Sequence, residues 1–336
     1  MKAIGYYAPL PIDNPEALQD LTLPEPTPAP RDLLVRVSAI SVNPVDTKVR
    51  RNATPEAGQA KVLGWDAVGT VEALGDEVKG FQVGDRVYYA GSITRQGANA
   101  ELHVVDERIA ARAPQSLDDA QAAALPLTTI TAWELLFDRL GVPKGGGSGQ
   151  TLLIVGGAGG VGSILIQLAR QLTQLRVIAT ASRPETRQWC LDLGAHAVID
   201  HSKPLAVELK AAGIGEVDMV DSLTQTEQHY RQIIESLKPQ GKIGVIDDMA
   251  VLDAMPLKGK SLSLHWELMF VRSRFETPDM AEQGKLLADV AALVDAGRVR
   301  TTANASFGTI NAANLRRAHA LMESGTAQGK VVLQGF

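Results

Sequence analysis

Along the first third of the chain, apolar and polar positions change over in short runs. Leu33–Val37, Val68–Ala73 and Arg86–Tyr89 are rich in β-formers and bounded by Gly, Pro and Asp, which predicts strands joined by tight turns. Leu23–Arg31, with four prolines, predicts a rigid surface crossing. From about residue 126 the rhythm changes. Thr151–Val155 is a short apolar run, and apolar residues at 161, 164, 165, 168, 169 and 172 then recur at helical spacing. Strand-like runs follow at Val177–Thr180, Ala197–Ile199, Val217–Val220 and Lys242–Ile246, separated by helical patterns at 184–193, 204–211 and 226–237. This β-α-β alternation predicts an α/β unit built on a doubly wound parallel sheet. Beyond 265 the pattern predicts helices near 278–297 and 311–323 and a last strand, Lys330–Leu333.

Composition narrows the setting. A chain of 336 residues predicts two domains, and a net charge of −5 argues against nucleic acid or an anionic membrane as partner. The single cysteine, Cys190, excludes an intrachain disulfide and a cysteine-rich zinc site. The N-terminal residues lack a secretory pattern and no run approaches the ~20 apolar residues of a membrane span, so a cytoplasmic protein is expected.

The densest chemical signal is Leu152-Leu-Ile-Val-Gly-Gly-Ala-Gly-Gly-Val-Gly162, in which Gly157, Gly159 and Gly162 satisfy G-x-G-x-x-G between a strand and a helix. In this pattern the first glycine allows the turn, the second lets a pyrophosphate approach, and the third lets helix and strand pack. The helix start offers unpaired N–H groups to phosphate. An acidic residue about 20 positions on would mark NAD. Ser182 and Arg183 stand there instead, a hydroxyl and a guanidinium suited to a 2′-phosphate, so NADPH is the expected cofactor.

With that turn, Ser41-Val-Asn-Pro-Val-Asp-Thr-Lys48, Gly64-Trp-Asp-Ala-Val-Gly69, Gly80-Phe-Gln-Val-Gly-Asp-Arg-Val87 and Gly329-Lys-Val-Val-Leu333 form an ordered set. The set resembles the medium-chain dehydrogenase/reductase superfamily over almost the full chain, nearest its quinone and enone oxidoreductases, including "zinc-type alcohol dehydrogenase-like" members. The resemblance implies a GroES-like β-rich catalytic domain (1–125 and 265–336) with a Rossmann domain (126–264) inserted. Where zinc enzymes of the superfamily carry a cysteine, a histidine and a third ligand, this chain has Asn43, Trp65 and a position near Leu127, so no metal is expected.

The resemblance also implies site residues. Lys48 and Asn43 would donate hydrogen bonds to a substrate oxygen. Thr128, Thr131, Ala158, Gly160, Val161, Leu223, Ile246 and Asp247 would touch the cofactor. His201 stands where relatives often have a tyrosine, and Lys330 would reach the pyrophosphate or cap its strand at the surface. Lys260–Leu264 would be an edge strand that pairs across a two-fold axis in a homodimer. The expected function is zinc-independent, NADPH-dependent reduction of quinones, enones or other activated carbonyl compounds. A zinc-type alcohol dehydrogenase and a nucleotide-binding protein with little catalysis remain the alternatives.

Overall fold

The structure, a computed structural model, describes all residues 1–336. The chain divides into two compact units, one made of Met1–Ile130 with Phe270–Phe336 and the other of Thr131–Met269.

The first unit begins with eight strands, β1 (Lys2–Tyr6), β2 (Gln19–Thr22), β3 (Asp32–Val42), β4 (Lys61–Val62), β5 (Ala67–Leu74), β6 (Arg86–Tyr89), β7 (Leu102–Asp106) and β8 (Ala110–Arg112). Helix α1 (Pro44–Asn52) interrupts them, and α2 (Asp119–Ala123) and α3 (Pro126–Trp133) follow. The join between the units falls within α3, which runs on as a π-helical turn, Glu134–Arg139.

In the second unit, β9 (Thr151–Val155), β10 (Arg176–Thr180), β11 (Ala197–Ile199), β12 (Val217–Ser222), β13 (Leu237–Val245) and β14 (Ser263–Trp266) alternate with helices α4 (Gly160–Leu172), α5 (Pro184–Asp192), α6 (Leu205–Ala211) and α7 (Thr226–Ser236). All pairings are parallel, and the strand order is β11-β10-β9-β12-β13-β14. Leu153, Val155, Ile178, Val220, Ile243 and Val245 supply the apolar layer beneath Ile233 and Leu209. The chain then returns to the first unit through α8 (Val271–Phe275), α9 (Glu282–Asp295), β15 (Ala303–Ser306), α10 (Ala312–Glu323) and β16 (Lys330–Gln334).

Both chain ends build the larger sheet of the first unit, ordered β15-β16-β3-β5-β6-β8 with β7 also on β3. Antiparallel pairing of β16 with β3 sets Val331 opposite Val42, which brings Lys330 to the end of β3 where α1 begins.

The Asn43–Lys48 motif is the start of helix α1, with Pro44 at the first helical position and Asp46 Oδ2 accepting the Asn43 N–H at 2.6 Å. One expectation changes. The edge strand is Ser263–Trp266 rather than Lys260–Leu264, because Met255–Lys260 forms a 3-10 turn and Ser261 adopts φ +53.

Candidate active site

In the second unit the segments after five strands lie at one edge of the sheet. The glycine-rich turn follows β9, Ser182 and Arg183 follow β10, His201 follows β11, Leu223 follows β12, and Ile246 and Asp247 follow β13. In an open parallel sheet the ligand crevice lies at the strand C-termini where the strand order reverses, here between β9 and β12.

The turn is shaped by close approaches. Gly156, not Gly157, takes the left-handed conformation, with φ +87. A Cβ on Gly157 would come within 2.7 Å of the Ala179 Cβ, and one on Gly162 within 2.5 Å of the Gly156 carbonyl oxygen. Gly157 and Gly162 therefore pack the turn, and the tight bend expected of Gly157 belongs to its neighbour. Gly159 is the N-cap of α4, and a Cβ there would meet nothing closer than 3.5 Å. The approach to Ala158, Gly160 and Val161 at the helix start is thus free of side-chain obstruction at position 159, and the residues fit a dinucleotide pyrophosphate.

Around the turn, Thr180 Oγ1 accepts the Gly156 N–H at 3.0 Å and lies 3.0 Å from His201 Nδ1. Burial keeps the His201 imidazole below its usual pKa. Ser182 is exposed, and Arg183 precedes α5 with Nε 3.0 Å from Glu185 Oε1. The Asp247 carboxylate takes both the Thr226 N–H (2.9 Å) and the Thr226 hydroxyl, so it caps α7.

In the first unit, four polar residues from three separate stretches of the chain form a buried knot. The Lys330 ammonium donates to Val42 O (2.9 Å) and to Asn43 Oδ1, and lies 3.0 Å from Asp66 Oδ2. Asn43 Nδ2 donates to Asp66 Oδ2 at 2.7 Å and to Trp65 O at 3.4 Å. Asp66 Oδ1 accepts the Leu127 N–H at 2.7 Å, which ties the start of α3 to the knot. Asp46 accepts from the Gly64 N–H at 3.1 Å as well as from Asn43. Exposure is 0% for Asn43, 1% for Asp46, 0% for Asp66 and 3% for Lys330. Burial pushes Asp46 up to about 7 and raises Asp66 against the pull of Lys330.

These contacts correct two expectations. Both amide hydrogens of Asn43 are engaged inside the protein, so Asn43 has none to offer a substrate oxygen. Lys330 is neither a surface cap nor open to a pyrophosphate, since its three protons are all directed into the knot. Lys48, on α1, is half-buried.

The knot also bears on metal. Asn43, Trp65 and Leu127 occupy the expected ligand positions. Trp65 is 1% exposed, donates Nε1–H to Ser92 O at 3.2 Å and packs edge-on against Phe270. Neither an indole nor a leucine side chain ligates zinc, and the knot's carboxylates are already taken by N–H groups and an ammonium. No group of three His, Cys, Asp or Glu residues is arranged to hold a metal ion. The residues do not fit catalytic zinc.

Two family models match the sequence, "Alcohol dehydrogenase GroES-like domain" over 29–115 and "Zinc-binding dehydrogenase" over 193–333. A zinc-type alcohol dehydrogenase-like protein of Staphylococcus aureus is 40% identical over 339 residues, with 99% of each chain covered. The chain is a medium-chain dehydrogenase/reductase. Among solved structures, a Rhizobium etli protein provisionally described as a zinc-dependent alcohol dehydrogenase is similar at TM-score 0.96 and 57% identity, covering 100% of this chain and 98% of that one. Escherichia coli quinone oxidoreductase complexed with NADPH is similar at TM-score 0.84 and 25% identity, covering 99% and 100%. The superfamily assignment extends to its quinone oxidoreductase-like branch, with a GroES-like unit and a Rossmann-like parallel sheet. The medium-chain fold accounts for the polar knot and glycine turn lying in different units. No helix of this medium-chain enzyme is long and apolar enough to cross a membrane.

The resemblance gives Asp46 and Asp66 the role of holding backbone and neighbouring side chains, and they do so here; sequence reasoning missed that Asp66 meets Lys330. An acidic residue two places after Gly64, and another three residues after Asn43, were the available signals.

Proposed function

We propose that this medium-chain dehydrogenase/reductase is an NADPH-dependent, zinc-independent reductase of quinones, enones or other activated carbonyl compounds. The observation that carries the reading is the buried Asn43–Asp66–Lys330 knot, which fills with a protein ammonium and an amide the place where zinc relatives need ligands. Alcohol oxidation requires stabilisation of an alkoxide, a role that zinc fills. Reduction of an already polarised double bond requires less, namely hydrogen-bond donors where the enolate or quinol oxygen gathers charge.

NADPH, when bound, would supply the hydride. Gly157–Gly162 and the start of α4 hold its pyrophosphate in this reading, and Ser182 with Arg183 hold the 2′-phosphate. His201, Leu223, Ile246 and the backbone at Asp247 line the same sheet edge. Thr128 and Thr131, both buried on α3, complete the cofactor set. Lys48 donates to the substrate oxygen, and the knot fixes Lys48 by fixing the first turn of α1. Solvent supplies the proton to carbon. Edge strand β14, with Trp266 49% and Leu268 48% exposed at its end, pairs with a second copy in a homodimer.

The test is NADPH and NADH consumption by the purified chain against a panel of enones and quinones, with and without added zinc. Turnover with NADPH that zinc leaves unchanged supports the proposal. Nucleotide binding without turnover on any member favours a non-enzymatic nucleotide-binding role instead, and zinc-stimulated alcohol oxidation favours the zinc-type reading.

A further inference from the structure

The bend that opens the glycine-rich turn is held by one residue. Thr180, the last residue of β10, is 1% exposed. Its backbone oxygen accepts the Gly157 N–H at 3.2 Å, and its hydroxyl oxygen accepts the Gly156 N–H at 3.0 Å. Gly156 is the left-handed residue of the turn, and a Cβ there would come within 2.8 Å of Thr224 Cγ2, so the bend requires glycine. The Thr180 hydroxyl has one hydrogen left to place, and His201 Nδ1 stands 3.0 Å away.

The pair can be arranged in two ways. If Nδ1 carries a hydrogen, it donates to the Thr180 oxygen, and the hydroxyl hydrogen is buried without an acceptor. If Nδ1 is bare, the hydroxyl donates to it, both groups are satisfied, and the ring hydrogen sits on Nε2. The second arrangement needs a neutral ring, which burial favours. Asp200, the acid that pulls toward an imidazolium, is engaged by the Ser202 N–H and hydroxyl at 2.9 and 2.7 Å and lies 3.9 Å from Lys203. From α7, His229 stands edge-on to His201, with ring centroids 6.0 Å apart and planes at 66°. His229 is 3% exposed, and burial and His201 hold it toward its neutral form. Asp247, the acid beside His229, is committed to Thr226. His229 therefore holds the plane of the His201 ring and brings no charge to it.

We propose that His201 is a positioning residue for the glycine-rich turn. As the Nε2–H tautomer it draws the Thr180 hydroxyl hydrogen onto Nδ1. That turns a lone pair of the oxygen to the Gly156 N–H and sets the bend from which Gly157–Gly162 meet the pyrophosphate. The role rests on the cofactor reading, while the tautomer belongs to the unliganded chain. It differs from the role of an aromatic wall against the nucleotide, because the acceptor nitrogen matters and the ring area does not. It differs from the role of Arg183 as well, because the pyrophosphate is common to NADPH and NADH.

The experiment measures NADPH and NADH affinity by calorimetry for full-length wild type, His201→Phe and His201→Asn, with nitrogen-15 spectra of the unliganded wild type at neutral pH. Phenylalanine keeps a flat ring beside His229 and removes the acceptor. Asparagine places Oδ1 near the position of Nδ1 and removes the ring. His201→Phe is expected to weaken both nucleotides about five- to tenfold, the loss of one hydrogen bond, and His201→Asn to stay within about twofold of wild type. The spectra are expected to show His201 as the Nε2–H tautomer. An Nδ1–H tautomer or an imidazolium overturns the proposal, a result that needs no variant to fold. So do a loss confined to NADPH and a greater loss in His201→Asn than in His201→Phe, which is the order an aromatic contact gives. If wild type binds neither nucleotide, the cofactor reading falls and the positioning role with it. If wild type binds and His201→Phe binds equally well, the role alone falls.

Discussion

In the GroES-like unit, Lys330 faces three acceptors, while Asp46 and Asp66 each collect backbone N–H groups. In the Rossmann unit, Glu267 and Asp221 are equally buried, but Glu267 has Arg139 on one oxygen and no donor on the other, and neither oxygen of Asp221 is hydrogen-bonded. The first cluster meets its acids with donors drawn from distant segments, and in the second burial raises the pKa of both. The difference teaches that burial alone does not say how a charge is accommodated. What matters is the number of N–H groups the backbone can aim at it. Where strands and helix starts converge, as at Asn43, Gly64 and Leu127, those donors exist. On the flat face beside Gly244 they are already committed to the parallel ladder.

The contrast is broken most severely at Lys330. Lys330→Met leaves Asp66 without its counter-ion and is expected to cost about 3–5 kcal/mol of stability in urea unfolding. Adding Asp66→Asn to it recovers part of that loss, which a double-mutant cycle measures. Lys48→Ala, on the helix the knot holds, is expected to lower turnover of an enone on the order of 10²-fold, as loss of an oxyanion donor does, while NADPH affinity is retained. Stopped-flow turnover alongside nucleotide titration separates the two quantities. In the Rossmann unit, Arg183→Ala is expected to weaken NADPH by about 2 kcal/mol and leave NADH nearly unaffected, as read by calorimetry with both nucleotides. The smallest effect belongs to Asp221. Burial pushes it up to about 8, so its contribution to stability falls as pH climbs toward that value. Asp221→Asn is expected to remove about 1 kcal/mol per pH unit of that decline between pH 6 and 8, measured as the shift in the urea midpoint.

Much of the Rossmann unit is legible in the sequence because its strands and helices differ in period. Apolar residues at 161, 164, 165 and 168 face one side of α4, which spans Gly160–Leu172. Helix α1 was legible too, from asparagine, proline and aspartate at 43, 44 and 46, but a motif read for its chemistry hid its capping signature. The helix from Pro126 through Arg139 left no periodic trace, because residues 126–136 are apolar or buried on every side. The polar knot lay beyond reach for a different reason. Lys330 and Asn43 are 287 residues apart, and only the register of β16 on β3 brings them together. Asp221 and Glu267 show the same limit, since neither lies in a motif and only the fold buries them.

The place of β16 has a consequence for how the protein is made. The strand lies between β15 and β3, and its first residue supplies the cation of the knot. Before Lys330 and the rest of β16 are synthesised, Asp66 has no ammonium and β15 has no partner strand. The start of α1, with Lys48 upon it, therefore acquires this anchor only after residue 330 has been made. A nascent chain stalled short of Lys330 has a Rossmann sequence complete from β9 to β14 and an unfinished first unit, so the order of synthesis places the Rossmann unit ahead of the unit that carries the knot.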